Sequence, residues 1–186
     1  AGDERAQEIM AKEGWSFPYY GSVDSTPLWL KALSKEALEE PGLLDIQVGN
    51  KLLGERAVLA TKWILARLDT PSALIESKRS NPHGIKNQYW KDSGDSYLTS
   101  NGKVSTESGT VSVETVSQTF DALLAASRLS QLSNHRWAHT PTDLIVAANQ
   151  VRARLINSWW LSDRFAMGLG VIEGEATLLD AIASNQ

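Results

Sequence analysis

The stretch Thr110-Val111-Ser112-Val113-Glu114-Thr115-Val116-Ser117-Gln118-Thr119-Phe120-Asp121-Ala122-Leu123-Leu124, continuing to Leu132, carries apolar residues at a helical period. Val113, Val116, Phe120 and Leu123 recur at spacings of three and four, with Ser127 on the same face. That spacing predicts an amphipathic helix over Thr110–Leu132. Glu114 and Gln118 are four apart and project from one side of it. They read either as a solvated, helix-stabilising pair or as two polar groups aimed into a cavity.

The same pattern extends in both directions. Downstream, Thr140-Pro141-Thr142-Asp143 is a helix start, with Pro early and an acid in the first turn. The helix it opens runs to about Trp160, with Leu144, Ala147, Val151, Leu155 and Trp159 inward. At least one of Trp159 and Trp160 belongs to the core. Arg164–Gly174 is Gly-interrupted and reads as a hairpin-like or irregular return, and Glu175–Ala183 as a last short helix. Upstream, Asn50–Leu68 places Leu53, Ala57, Ala60, Ile64 and Leu68 on one stripe. Thr26–Glu40, with Ser25 as N-cap and Pro27 early, turns Leu28, Leu30, Leu33 and Leu38 inward. Asp3–Glu13 is a short charged helix ended by Gly14. The fold class expected from these elements is all-α, a run of antiparallel helices in one domain.

Composition bounds the function. The chain has 186 residues, 42% hydrophobic and 22% charged, with a formal net charge of -4 and no Cys. No Lys/Arg cluster suggests a nucleic-acid partner. No apolar run approaches the ~20 residues of a membrane span. Disulfides and thiolate metal sites are excluded. His83, His135 and His139 lack metal-ligand spacing, and no cofactor motif is present. Compartment stays open.

Between Ser72 and Gly109 no helical period is sustained, and a connection of that length is more often functional than filler. It contains Asn87-Gln88-Tyr89-Trp90-Lys91-Asp92-Ser93-Gly94-Asp95-Ser96. An indole beside carboxyl groups suits a sugar site: the ring covers a pyranose face and an acid protonates a glycosidic oxygen. Asp92 and Asp95 are both candidates for that acid. Two acids three residues apart do not obviously span the ~6.5–9.5 Å that an inverting pair requires, so one of them can be structural. Near the N-terminus, Tyr19-Tyr20-Gly21-Ser22-Val23-Asp24-Ser25-Thr26-Pro27-Leu28 reads either as a capped helix start over packed aromatics or as a pocket mouth with Asp24 accepting sugar hydroxyls.

Three stretches together resemble one family, in that family's order. Tyr19–Leu28 is similar to its Y-Y-G-S-V-D-A-T-P-L motif. Asn87–Ser96 is similar to N-Q-G-W-K-D-S-x-D-S. Glu114–Leu129 is similar to a helix with E-V-Q followed by D-A-L-L-A-A-x-R-L. The family is the amylo-alpha-1,6-glucosidase, or glycogen-debranching-type, glycoside hydrolases. The resemblance covers about Trp15 to Gln186 and is weakest over Gly42–His83 and Leu132–Thr140. It implies part of an (α/α)6 barrel and hydrolysis of α-glucosidic bonds with inversion. It also implies Asp92 as general acid, with Asp95 as second candidate. Tyr20, Asp24, Trp90, Lys91, Glu114 and Gln118 fall at substrate-binding positions, with Tyr20 stacking on the sugar. The expected partner is an oligosaccharide or glucoside.

Tyr89 departs from the family by replacing the Gly before the Trp, which narrows the expected pocket. Gly42–His83 departs from the family's helix and loop, and strand-like or inserted structure is a possibility there. Twelve barrel helices need roughly twice this chain, so the expectation is a fragment whose catalytic base lies after Gln186. Such a piece would be inactive alone and would associate with remaining barrel segments or with itself. Three alternatives remain at this level. One is a related barrel hydrolase for mannosyl or glucosylglycerate-type substrates. Another is a non-catalytic carbohydrate-binding helical domain. The third is a helical interaction scaffold in which the motifs are coincidental.

Overall fold

The computed structural model describes residues 4–14, 21–70, 72–78, 88–89, 97–99, 101–102, 109–133, 135–172 and 175–182. In chain order these form α1 (Glu4–Glu13), α2 (Ser25–Glu39), a 3-10 turn (Pro41–Asp45), β1 (Gln47–Val48), β2 (Lys51–Leu52), α3 (Leu53–Leu68), β3 (Tyr97–Leu98), β4 (Val111–Ser112), α4 (Val113–Leu132), α5 (Pro141–Ser158), β5 (Gly168–Ile172), β6 (Glu175–Leu179) and β7 (Ala181–Ile182). The chain is mostly helical, with three small antiparallel sheets: β1–β2, β3–β7 and β4–β5–β6. The all-α expectation is corrected to that extent. No helix among the described residues is long and apolar enough to cross a membrane.

Helix α4 is the centre and packs against α2, α3 and α5. Its small residues make this possible: Ala122, Ala125, Ala126 and Ser127 are buried with Val116, Leu123 and Leu129. Burial on several sides lets neighbouring helices approach closely. Both α4 and α5 start on caps that their sequences supply. Ser112 Oγ accepts from Thr115 N–H at 3.1 Å. Thr140 and Asp143 cap reciprocally: Thr140 N–H donates to Asp143 Oδ2 at 2.9 Å, and Asp143 N–H donates to Thr140 Oγ1 at 3.2 Å. Helix α1 ends as expected at Gly14, whose φ of 66° is the left-handed stop.

Several boundaries and faces move. The Asn50 helix begins at Leu53, because residues 47–52 pair as the β1–β2 hairpin inside the stretch where strand-like structure was a possibility. Glu55 Oε2 then accepts from Leu52 N–H at 2.9 Å and fixes the start. The N-cap of α2 is Asp24 rather than Ser25. Thr110–Ser112 are extended, not helical, since Val111 and Ser112 pair with β5. Leu28 and Leu38 are exposed rather than inward. The buried face of α2 is instead Pro27, Leu30, Leu33, Ser34 and Ala37. Leu28 and Leu38 line an open groove of about 530 Å³ shared with Leu124 of α4, which the Lys31–Asp121 ion pair flanks at 2.7 Å.

The expected helix over Glu175–Ala183 is corrected outright. Glu175–Leu179 forms β6, which pairs with β5 at five positions from Ile172↔Glu175 to Gly168↔Leu179. Nine residues gain little as a lone helix. Paired to β5, they satisfy that strand's edge and bury Leu179 completely. Within the Arg164–Gly174 return, Gly168–Ile172 form β5, the first strand of this hairpin. Trp159 is buried and Trp160 exposed, so one of the pair is core. Trp160 packs edge-on to Phe165, with ring centroids 4.8 Å apart.

Candidate functional site

At the sheet corner two of the three stretches that carry the resemblance meet, and Thr110, shortly before the third, is tied to them. Val23 N–H donates to the Gln88 carbonyl at 2.9 Å, tying the segment before Asp24 to the residue before Tyr89. Tyr89 is buried, and its hydroxyl donates to the Thr110 carbonyl and accepts from Ser77 N–H at 3.0 Å. Ser77 N–H also donates to Thr110 O at 2.8 Å, and Ser77 Oγ accepts from Gln88 N–H at 2.8 Å. This knot holds the start of the central loop against the strand that leads into α4. Burial pushes the Tyr89 phenol well above its ordinary value, and the Ser77 N–H opposes the shift only in part.

Tyr97 lies against Tyr89 in an edge-to-face contact, centroids 5.9 Å apart and rings at 69°. Strand β3 sets its position through Tyr97↔Ile182 pairing. Gly168 makes room for it: a Cβ there would meet the Val111 carbonyl at 2.8 Å and the Tyr97 ring at 3.3 Å. The Tyr97 side chain is 1% exposed, yet its hydroxyl has no hydrogen-bond partner. Burial raises its pKa first, and the nearby Glu114 carboxylate raises it further, with a smaller push from Asp24. The Ser112 hydroxyl opposes the shift, but that oxygen is engaged by Thr115 N–H and Thr115 Oγ1 at 3.1 and 3.0 Å.

Glu114 and Gln118 face the same region from the first two turns of α4. Glu114 Oε2 and Gln118 Oε1 are buried and unpartnered. A carboxylate in the first turn suits the positive end of a helix, but nothing compensates its buried oxygen. Asp24 is half-buried at the start of α2. Its carboxylate makes no cap bond to the helix and accepts instead from the Ser22 hydroxyl. Asp24 and Glu114, two of the residues expected at the site, are therefore near enough to one buried phenol to act on its ionisation, and Gln118 lies one helical turn beyond Glu114 on α4. The description of Glu114 and Gln118 as a solvated pair does not hold for these atoms. Tyr20, Trp90, Lys91, Asp92 and Asp95 lie outside the described residues.

Tyr97 OH, Glu114 Oε2 and Gln118 Oε1 are buried polar atoms without hydrogen-bond partners, and each atom left so costs roughly 1–3 kcal/mol. Among the described residues no group of three His, Cys, Asp or Glu could hold a metal ion. His135 sits at the other side of α3, its Nε2 3.4 Å from Leu44 O and 3.7 Å from Asp45 Oδ1.

Tyr89, Tyr97 and Ser77 were not singled out as site residues in the sequence. Tyr89 was visible only as the residue replacing a family glycine. Its hydroxyl is turned toward Ser77 and Thr110. The only local signal for Tyr97 is a bulky aromatic in a polar loop, two residues after Asp95.

No family model matches the chain, and no curated protein or solved structure shows significant similarity to it.

Proposed function

We propose that this chain carries the sugar-binding and acid-bearing part of an α-glucosidase-like, inverting glycoside hydrolase of the glycogen-debranching type, built on an (α/α)6 barrel. The observation that carries the reading is the hydrogen bond from Val23 to Gln88 at 2.9 Å. It brings two of the resembling stretches side by side, and the third contributes Glu114 and Gln118 to the buried cluster beside them. A scaffold has no reason to gather Asp24, Glu114 and Gln118 around unpartnered polar atoms. In this reading Trp90 is the platform under the sugar, Asp92 protonates the leaving oxygen, and Asp95 orders the loop. Tyr20 and Lys91 complete the substrate contacts.

Two measurements test it. The chain should bind methyl α-D-glucopyranoside in a calorimetric or NMR titration, and Trp90→Ala should abolish that binding; a wild-type chain that binds no neutral sugar overturns the reading. In the catalytically complete protein, Asp92→Asn should slow hydrolysis of an alkyl α-glucoside by about 10²–10⁴-fold. Aryl glucosides with good leaving groups, which need no protonation, should be largely spared. If Asp95→Asn gave that leaving-group-dependent loss and Asp92→Asn did not, the two roles would be exchanged.

A further inference from the structure

We infer that Tyr97 is a substrate-binding residue, and that its hydroxyl, with Glu114 and Gln118, grips two neighbouring hydroxyl groups of a neutral sugar. The inference rests on the sugar-site reading above and adds both a residue and a ligand chemistry to it.

The argument is a count of donors and acceptors. Tyr97 OH, Glu114 Oε2 and Gln118 Oε1 are all buried and all unpartnered. Glu114 and Gln118 are one helical turn apart on α4, so their ends lie on the same face. Glu114 is close enough to Tyr97 to act on its ionisation, and so is Asp24. The phenol stays protonated because burial disfavours its anion, so it presents an O–H to donate. A first sugar hydroxyl accepts from Tyr97 and donates to Glu114. A second, on the adjacent carbon, donates to Gln118. A hydroxyl complements either end of the Gln118 amide, whichever way the amide is turned.

Other ligand chemistries fit less well. A carboxylate or phosphate would satisfy Tyr97 but would meet Glu114 and Asp24 at close range, and like charges in a buried site repel strongly. An ammonium would satisfy the acceptors and leave the phenol proton without one. A vicinal diol satisfies all three groups and adds no charge. The geometry around Tyr97 is fixed from behind, by the Tyr89 edge at 5.9 Å and by the slot at Gly168. A ring held this firmly aims its hydroxyl without further ordering on binding, which favours affinity.

Tyr97→Phe deletes one oxygen and keeps the ring. Because that oxygen is buried and unpaired, the variant should melt at the same temperature as wild type or higher. Titrated with methyl α-D-glucopyranoside, it should bind about tenfold more weakly, the loss expected for one neutral hydrogen bond. Each monodeoxy derivative of the glucoside is then titrated against both proteins. One derivative should bind wild type about tenfold more weakly, yet bind Tyr97→Phe as well as the parent glucoside does. Equal glucoside affinity for the two proteins, or losses that add for every derivative, overturns the inference while leaving the sugar site standing. A lower melting temperature with unchanged affinity also overturns it, and identifies a structural water as the occupant. If wild type binds no glucoside, the sugar-site reading falls and this one with it.

Discussion

Tyr89 and Tyr97 touch edge to face and are both buried, but their hydroxyl groups are treated in opposite ways. Around Tyr89 both the donor and the acceptor capacity of the hydroxyl are used, by Thr110 O and Ser77 N–H. The Tyr97 hydroxyl has no such pair of partners, and buried oxygens of Glu114 and Gln118 on α4 are unpartnered as well. The first region is a clamp that joins a loop to a strand. The second is a set of buried polar atoms without hydrogen-bond partners, which oppose folding. The contrast therefore separates a satisfied phenol from an unsatisfied one, and it can be broken or sharpened by substitution.

The largest effect should come from filling the space between Tyr97 and the Val111 backbone. Gly168→Ala drives a Cβ to 2.8 Å from the Val111 carbonyl and 3.3 Å from the Tyr97 ring. The first contact is with backbone in a paired strand and cannot be relieved by a rotamer change. We expect a loss of about 1–3 kcal/mol in urea unfolding, the range for overpacking a tight site. Sugar binding should weaken too, because Tyr97 must shift.

The next effect is the direct comparison of the two phenols. Tyr89→Phe deletes two hydrogen bonds inside the clamp and should cost roughly 1–2 kcal/mol. Tyr97→Phe should cost nothing, or stabilise. Thermal melts of the two variants side by side decide this, and a Tyr97→Phe variant that loses as much as Tyr89→Phe would erase the distinction between the two phenols.

The helices were readable in the chain because their determinants are local. The Thr140–Asp143 cap lies within four residues, and the α3, α4 and α5 stripes recur within one element. The Glu114–Gln118 spacing was equally local. What was not readable depends on distant partners. β6 is a strand because β5 offers it an edge, and Thr110–Ser112 are extended because β5 also takes that side. Leu28 and Leu38 looked like core because a leucine count cannot see that α2 turns Ser34 and Ala37 inward instead. Tyr97 joins the site through β7 and Gly168, both more than 70 positions away in the chain. Nothing near Tyr97 in sequence announces that burial.

Alkaline titration offers a smaller but specific test. Both phenols have folded pKa values raised above the ordinary 10.0, chiefly by burial. A raised pKa contributes stability that is fully present below the unfolded value and is lost as pH rises through the folded one. Stability should therefore begin to fall as the pH passes about 10, where the unfolded phenols ionise. Tyr97→Phe and Tyr89→Phe should each make the fall shallower, and the double variant should remove most of it. A melting temperature that declines with pH as steeply in the double variant as in wild type would assign the loss to other groups.

The smallest effect should appear at acid pH, away from both tyrosines. Asp143 at the start of α5 accepts from Thr140 N–H at 2.9 Å and from Thr140 Oγ1 at 2.8 Å. The backbone bond, and then the hydroxyl bond, hold its pKa below the ordinary carboxylate value. A depressed pKa contributes stability that is present above the unfolded value and lost as pH falls through the folded one. Because the carboxylate is fully exposed, solvent screens much of this interaction, and the consequence is local. On acidification the first-turn amides of α5, at Thr142, Asp143 and Leu144, should exchange faster with solvent while the Tyr89 and Tyr97 ring signals stay unchanged. Asp143→Asn should show the faster exchange already at neutral pH and lose the pH dependence. Should the tyrosine signals respond first, with the α5 amides still protected, the cap would not be the acid-sensitive element.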